Sequence, residues 1–255
     1  MLDAGLVVLL LIFIRMTGFF AVVPFFTLRG VPALTKIGLA GVMAYLIFQT
    51  MDFEALNLLP GIAGMFIMTG REALVGLTLG FSVFLIFGGI RIAGQFIDLQ
   101  MGLLMANVFD PQFGSPVTLV GQLYYYLGLI YFFIINGHHS MLAALTGSYQ
   151  VIPPGMGVLG EVTLWKVMDI FFWMFLLAFQ IALPVVVTLL MVDISLGLIS
   201  KTVPQLHVFI VGLPLKIGLG MAALVLIIPM MTVVFENIFS QMVRDMFSLM
   251  ETFQQ

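Results

Sequence analysis

Ile170–Val192 reads IFFWMFLLAFQIALPVVVTLLMV, a run without a single charged residue. A helix needs about 20 predominantly apolar residues to cross the hydrocarbon core of a bilayer, and this run supplies them. Ile217–Phe235 is a second charge-free run of comparable length. Membrane β-barrels show short segments of alternating polarity separated by turn residues, a pattern absent here. Composition agrees: of 255 residues only 8% are charged, with a mean hydropathy of +1.21, against about 25% charged in a soluble domain. The expectation is an all-α integral membrane protein, built of helical hairpins whose helices are broken by Pro and Gly.

Outward from these runs, the remaining chemistry is sparse. The net charge of −3 comes without clusters of Lys and Arg, which argues against a nucleic-acid partner. Cysteine is absent, which removes disulfides and thiolate metal ligands from consideration. There is no GxSxG nucleophile elbow, HExxH or P-loop, so no enzyme is expected. His138 and His139 are adjacent, whereas a helical metal pair needs i, i+4 spacing and further ligands. Neither a metal nor a cofactor is expected. The N-terminal stretch MLDAGLVVLLLIFIRMTGFF has no basic leader and no small-residue cleavage site before Phe26, and reads as a retained membrane helix.

The most anomalous stretch is Gly94–Gln122, GQFIDLQMGLLMANVFDPQFGSPVTLVGQ. Asp98 and Gln100 sit where lipid-facing residues would be expected, and the helical pattern breaks around Asp110, Pro111, Gly114 and Pro116. Irregular backbone at membrane depth must line a cavity or be covered by protein. Helical spacing puts Arg91, Gln95, Asp98 and Gly102 on one stripe that continues into Met105 and Phe109. Arg91 and Asp98 are two turns apart, roughly 10 Å along the axis, and can join only through Gln95, water or a third group. Two readings stay open: a buried polar network locking helices together, or the lining of a path.

Other charges raise the same question. Arg15 lies in the middle of the first apolar segment, where it either pairs with a neighbouring helix or lines a conduit. Arg71 and Glu72 are adjacent, point to different helix faces and need separate partners. Gly76 and Gly80 form a GxxxG motif, compatible with close packing inside the chain or with a subunit contact. Ile37–Met51 looks short for a span. At the C-terminal end, Phe235, Ile238, Phe239, Met242, Val243, Met246 and Met250 form an apolar stripe opposite Glu236, Ser240, Arg244 and Glu251, fit to lie on a membrane or against partner helices.

Two functional classes survive. One is an independent ion-coupled secondary transporter, with Arg15, Glu72, Asp98 and Asp193 as a relay. It predicts an inverted repeat, yet the breaks at Asp110–Pro116 and Lys201–Pro204 differ in flanks and spacing. The other is a structural subunit of a larger membrane conduit, constricted after Met105.

Specific residues favour the second class. Gly94 with IDLQMG at Ile97–Gly102, the Asp110–Pro111 pair, and D-x-x-LG-x-x-x-K-x-x-PQ-x-x-VF-x-x-G-x-P-x-K from Asp193 to Lys216 resemble the FliR family, the R-type subunits of the flagellar type III export gate. Arg15 through Gly18, Pro24, Pro32 and Lys36 also fit, so the resemblance covers essentially the whole chain. Related T-type subunits occur in virulence secretion systems. The resemblance implies a non-enzymatic, pore-forming subunit in the flagellar basal body of a bacterial inner membrane. Its implied partners are P-type and Q-type gate subunits, other membrane proteins of the export apparatus, and unfolded secreted polypeptides as substrate.

It further implies a P-like part over residues 1–181 and a Q-like hairpin with an amphipathic end over 182–255. In the family a loop of the R subunit plugs the closed pore beside a methionine-rich gasket. By position that loop falls on Ala106, Asn107, Val108, Phe109, Asp110, Pro111, Gln112, Phe113, Gly114 and Ser115, with Met101 and Met105 as adjoining apolar packing. Methionine suits a gap that must reform, because its thioether chain is flexible. Arg15, Arg91, Gln95, Asp98, Asp193, Lys201 and Lys216 are the candidate buried polar or packing residues.

Overall fold

The computed structural model describes residues 4–27, 30–51, 59, 61–104, 118–202 and 208–254. Among these residues the regular structure is entirely helical: α1 (Ala4–Val22), α2 (Ala33–Thr50), α3 (Gly61–Met101), α4 (Leu119–Ile134), α5 (Gly137–Val151), α6 (Glu161–Thr202), α7 (Val208–Ile227) and α8 (Met231–Thr252). Short 3₁₀ turns at Pro24–Phe26 and Ile228–Met230 follow α1 and precede α8. Among the described residues five stretches are long and apolar enough to cross a membrane, Gly5–Val22, Ala33–Thr50, Gly61–Met101, Glu161–Thr202 and Val211–Thr252, and α4 with α5 meet the same test as a pair bent by 73°.

One boundary differs from the sequence reading. The second helix starts at Ala33, directly after Pro32, and reaches 18 residues. Lys36 is therefore inside its first turns, and the segment is long enough to span. Pro184 lies inside α6, which continues past it; without an N–H it leaves the Gln180 carbonyl without its helical donor.

The chain forms two compact units, interleaved along the sequence. The first comprises Met1–Ile86, Asn136–Phe172 and Phe239–Gln255. Its α1 buries Val8, Leu11, Ile12, Met16, Phe19 and Phe20, one continuous helical face. The GxxxG motif belongs to this packing. A Cβ on Gly76 would lie 2.2 Å from the Arg15 carbonyl oxygen, and one on Gly80 would lie 2.8 Å from that of Phe19. The motif is therefore an intrachain contact that lets α3 touch the α1 backbone. The stripe of α8 is also absorbed here from Phe239 onward: Phe239, Met242, Met246, Leu249, Met250 and Phe253 are buried. Val158 and Thr163 donate to the carbonyls of Phe253 and Thr252, at 3.2 and 3.1 Å, fastening this end. The C-terminal helix thus packs on its own chain, where sequence left it free for a membrane or a partner.

The second unit comprises Phe87–Ile135 and Trp173–Ile238. On α3, Ile90, Ala93, Ile97 and Met101 are buried. Gly89 lies against Met174 of α6, and Phe96 stacks on Phe179 with ring centroids 4.7 Å apart. Gly94 faces Gly121 of α4, where an added Cβ would come within 2.4 Å of the Gly121 Cα. A side chain at 94 would block this approach, and a Cβ on Gly121 would lie 2.9 Å from Thr118 Oγ1 and 3.1 Å from the Arg91 carbonyl oxygen.

Candidate functional site

The last turn of α3 is where the polar residues of the second unit gather. Gly102 adopts φ +80°, a left-handed conformation open to glycine at little expense. The Gly102 amide donates to the Leu99 carbonyl at 3.1 Å and the Leu103 amide to the Asp98 carbonyl at 3.0 Å. This paired arrangement is the Schellman ending of a helix, and it explains why IDLQMG stops α3 where it does.

The side chain of Asp98 does something the spacing did not disclose. Its Oδ1 accepts from the Val120 amide at 3.0 Å, and its Oδ2 accepts from Val120 and Gly121 at 3.1 Å each. These are the second and third residues of α4, the donors that a helix normally satisfies with its own N-cap side chain. Thr118 occupies the N-cap position and makes no such side-chain bond. Asp98 is thus an N-cap supplied from another helix, and its charge also complements the positive end of the α4 dipole. Gly94, one turn before Asp98, creates the close approach that brings α4 within reach.

Two residues further on, Gln100 Nε2 donates to Asp193 Oδ2 at 2.9 Å, and Lys216 Nζ lies 2.9 Å from both carboxylate oxygens of Asp193. The cluster joins α3, α6 and α7. It is not sealed: the side chains of Lys216 and Asp193 keep 19% and 39% of their surface exposed. Met101, by contrast, is wholly buried and lies against Gly220 of α7, where a Cβ would approach its side chain to 2.8 Å.

The first unit holds a different polar centre. Arg15 of α1 donates from Nε to Glu72 Oε2 at 2.7 Å and from Nη2 to Glu72 Oε1 at 2.9 Å, a bidentate pair. Nη1 reaches Ser148 Oγ and Nη2 the Ile152 carbonyl, each at 2.9 Å. The guanidinium carbon lies 4.0 Å from the centroid of the Tyr149 ring. Tyr149 in turn donates its hydroxyl to the Ile12 carbonyl at 3.1 Å. Glu72 Oε1 also accepts the Gly155 amide at 2.8 Å. Gly155, at φ +81°, follows Pro154 in a turn closed by Met156 N–H to Pro153 O at 3.1 Å, which gives the type II geometry that needs Gly at its third position. Arg15, Glu72 and Ser148 are all 0% exposed. Arg71 and Glu72 do part to different contacts, yet both end on Gly155, whose carbonyl accepts from Arg71 at 3.4 Å.

Residues 6–242 match the family model described as bacterial export proteins, family 1. The chain belongs to that family, the FliR family. It is 39% identical to the flagellar biosynthetic protein FliR of Bacillus subtilis, covering 94% of this chain and 93% of the relative. It is 27% identical to FliR of Escherichia coli over 89% and 87% of the two chains. It is 29% identical to the secretion system apparatus protein SsaT of Salmonella typhimurium over 64% and 63%.

In this FliR-family chain the candidate residues fall into four groups. Arg15 and Asp98 are fully buried, each hydrogen-bonded to several partners. Asp193 and Lys216, the two ends of the longest sequence motif, pair with each other. Arg91 and Lys201 are exposed and Gln95 is partly buried, so Arg91, Gln95 and Asp98 do not form one buried network in this chain: Asp98 turns to backbone amides. Met105 and Ala106–Ser115 lie outside the described residues. Residues that sequence reading passed over include Tyr149, Ser148 and Gly155. Of these, Gly155 carried a legible signal, the Pro153-Pro154-Gly155 turn; Gly121 acquires meaning only once it is seen opposite Gly94.

Proposed function

We propose that this chain is a non-enzymatic, pore-forming subunit of the flagellar type III protein export gate. In this reading it assembles with P-type and Q-type subunits, and with other membrane proteins of the export apparatus, in the bacterial inner membrane at the flagellar basal body. Unfolded secreted polypeptides are the cargo. Residues 1–181 act as the P-like part and residues 182–255 as the Q-like hairpin. The loop Ala106–Ser115 closes the pore sterically, with Met101 and Met105 as packing beside it, and an inserting polypeptide displaces it.

The observation that carries this reading is the family match over residues 6–242, which leaves no large part of the chain outside an export protein. The anchoring of both flanks of the proposed loop at Asp98 supports placing a functional element there: Leu103 bonds its carbonyl, and Val120 and Gly121 bond its carboxylate. An ion-coupled transporter would need exchangeable charges at membrane depth. Of the four relay candidates, Arg15 and Glu72 instead bond each other and neighbouring groups and Asp98 is held by backbone amides, which leaves Asp193 alone partly open.

The test is co-purification in mild detergent from cells expressing the P-type and Q-type subunits, followed by reconstitution in vesicles. The expected result is a complex of fixed composition that stays closed, and conducts ions once Ala106–Ser115 is deleted. A chain that purifies alone or with copies of itself overturns the gate reading. An assembled deletion variant with unchanged conductance overturns the plug.

A further inference from the structure

We infer that Asp98 is a positioning residue of this export subunit, whose carboxylate fixes the start of α4 to the end of α3. Its own backbone carbonyl receives the Leu103 amide that terminates α3. Its two side-chain oxygens receive the Val120 and Gly121 amides that begin α4. One residue therefore receives amides from both the end of α3 and the start of α4. Asp98 is 0% exposed, so it has no surface to offer a passing polypeptide and acts only through α4.

The choice of a remote cap over a local one is the informative feature. A capping side chain at the N-cap itself would stabilise α4 wherever α4 sat, because cap and helix would move together. A cap from α3 stabilises α4 only in one place. Thr118 has a side-chain type that serves well as a local cap, yet it makes no capping bond. The Gly94–Gly121 approach, which an added Cβ would close to 2.4 Å, is the second contact that holds the register. Both oxygens of Asp98 accept, which a carboxylate does and a carboxamide does not, since its nitrogen is a donor facing donors. The charge and shape of residue 98, and not merely its polarity, set the geometry. The inference rests on the plug reading above, which makes the position of these two ends matter for export.

The test compares Asp98→Asn with Asp98→Asn/Thr118→Asp in the complex with P-type and Q-type subunits, reading amide exchange at Val120 and Gly121 and vesicle conductance. Asp98→Asn is expected to speed exchange at the two amides by roughly tenfold, the scale of one lost charge-assisted bond, and to raise conductance. Adding Thr118→Asp supplies a local cap: slow exchange returns, while conductance remains raised because the helix start is stable but untethered. If the double variant closes the pore again, Asp98 is an ordinary cap and the positioning role is overturned. Unchanged exchange in assembled Asp98→Asn overturns it equally. Should Asp98→Asn fail to assemble, the double variant decides: recovery with wild-type conductance refutes tethering, and continued failure shows that a local cap cannot replace the remote one. If deletion of Ala106–Ser115 leaves conductance unchanged, the plug reading fails by itself, and the exchange data still decide whether Asp98 holds α4.

Discussion

The two units of this chain bury charge in opposite ways. In the first, a full cation meets a full anion: Arg15 and Glu72 are both 0% exposed, joined bidentately, and their remaining hydrogen-bonding capacity goes to Ser148, Ile152 and Gly155. In the second, the 0% exposed Asp98 meets only backbone amides in its hydrogen bonds among the described residues. A helix N-terminus offers the equivalent of about half a positive charge, so this neutralisation is softer. Among the described residues of that unit, the ion pair Asp193–Lys216 stays partly open. The difference teaches where a rigid lock lies and where an adjustable one does. In the first unit a shift separates a cation from an anion, whereas in the second a shift of α4 takes only amide donors and a helix dipole away from the Asp98 carboxylate.

Breaking the first arrangement should have the largest effect. Arg15→Met leaves Glu72 buried and unpaired, and removal of one partner from a buried pair typically costs about 3–5 kcal/mol. That is a large share of a net stability of about 5–15 kcal/mol, so the variant should fail to accumulate in the membrane, measured by immunoblot of the membrane fraction. Arg15→Met/Glu72→Leu removes both charges and should recover part of the loss, since an apolar pair strands nothing. Equal loss in single and double variants would mean that Ser148, Tyr149 and Gly155 depend on the charges themselves.

Much of this was readable from the residues. Apolar run length made the helices legible, and the adjacent Arg71 and Glu72 announced two separate contacts. The GxxxG motif was legible as close packing, but its partner was not, because a glycine pattern does not name the helix laid against it; the partner is the backbone at Arg15 and Phe19. Asp98 stood out as a polar residue at membrane depth. Its actual role was hidden because its partners are main-chain amides of Val120 and Gly121, and backbone groups leave no mark in a sequence. Periodicity instead linked Asp98 to Arg91, which shares its stripe yet is exposed. The Asp193–Lys216 pair was visible only as the two ends of one motif, since proximity between two helices needs the fold.

A smaller effect separates the two units through their glycines. Gly76→Ala and Gly94→Ala each drive a methyl into backbone, at 2.2 Å from Arg15 O and 2.4 Å from Gly121 Cα, and overpacking typically costs about 1–3 kcal/mol. Thermal unfolding in detergent should show similar losses for both. Only Gly94→Ala should also accelerate amide exchange at Val120 and Gly121, because it pushes α4 off its remote cap. Gly197→Ala meets nothing within 4 Å and should be neutral or gain up to about 1 kcal/mol from helix propensity. Acceleration at Val120 and Gly121 in Gly76→Ala would show that the two units do not respond separately.

The smallest loss expected of any broken polar contact belongs to Lys216. Its partner Asp193 keeps 39% of its side-chain surface and a second donor in Gln100, and exposed pairs contribute about 0–1 kcal/mol. Lys216→Met should therefore lower the unfolding temperature of the detergent-solubilised chain only slightly, and raising the salt should narrow the gap to wild type further. The sharper measurement is the double variant Gln100→Leu/Lys216→Met, which strips Asp193 of both donors. Because Asp193 is partly open, water can replace them, and the two losses should add without the large coupling expected for Arg15 and Glu72. A coupling as large as that buried pair shows would mean that Asp193 is as sealed from water as Glu72, and the contrast between a closed lock and an open one would collapse.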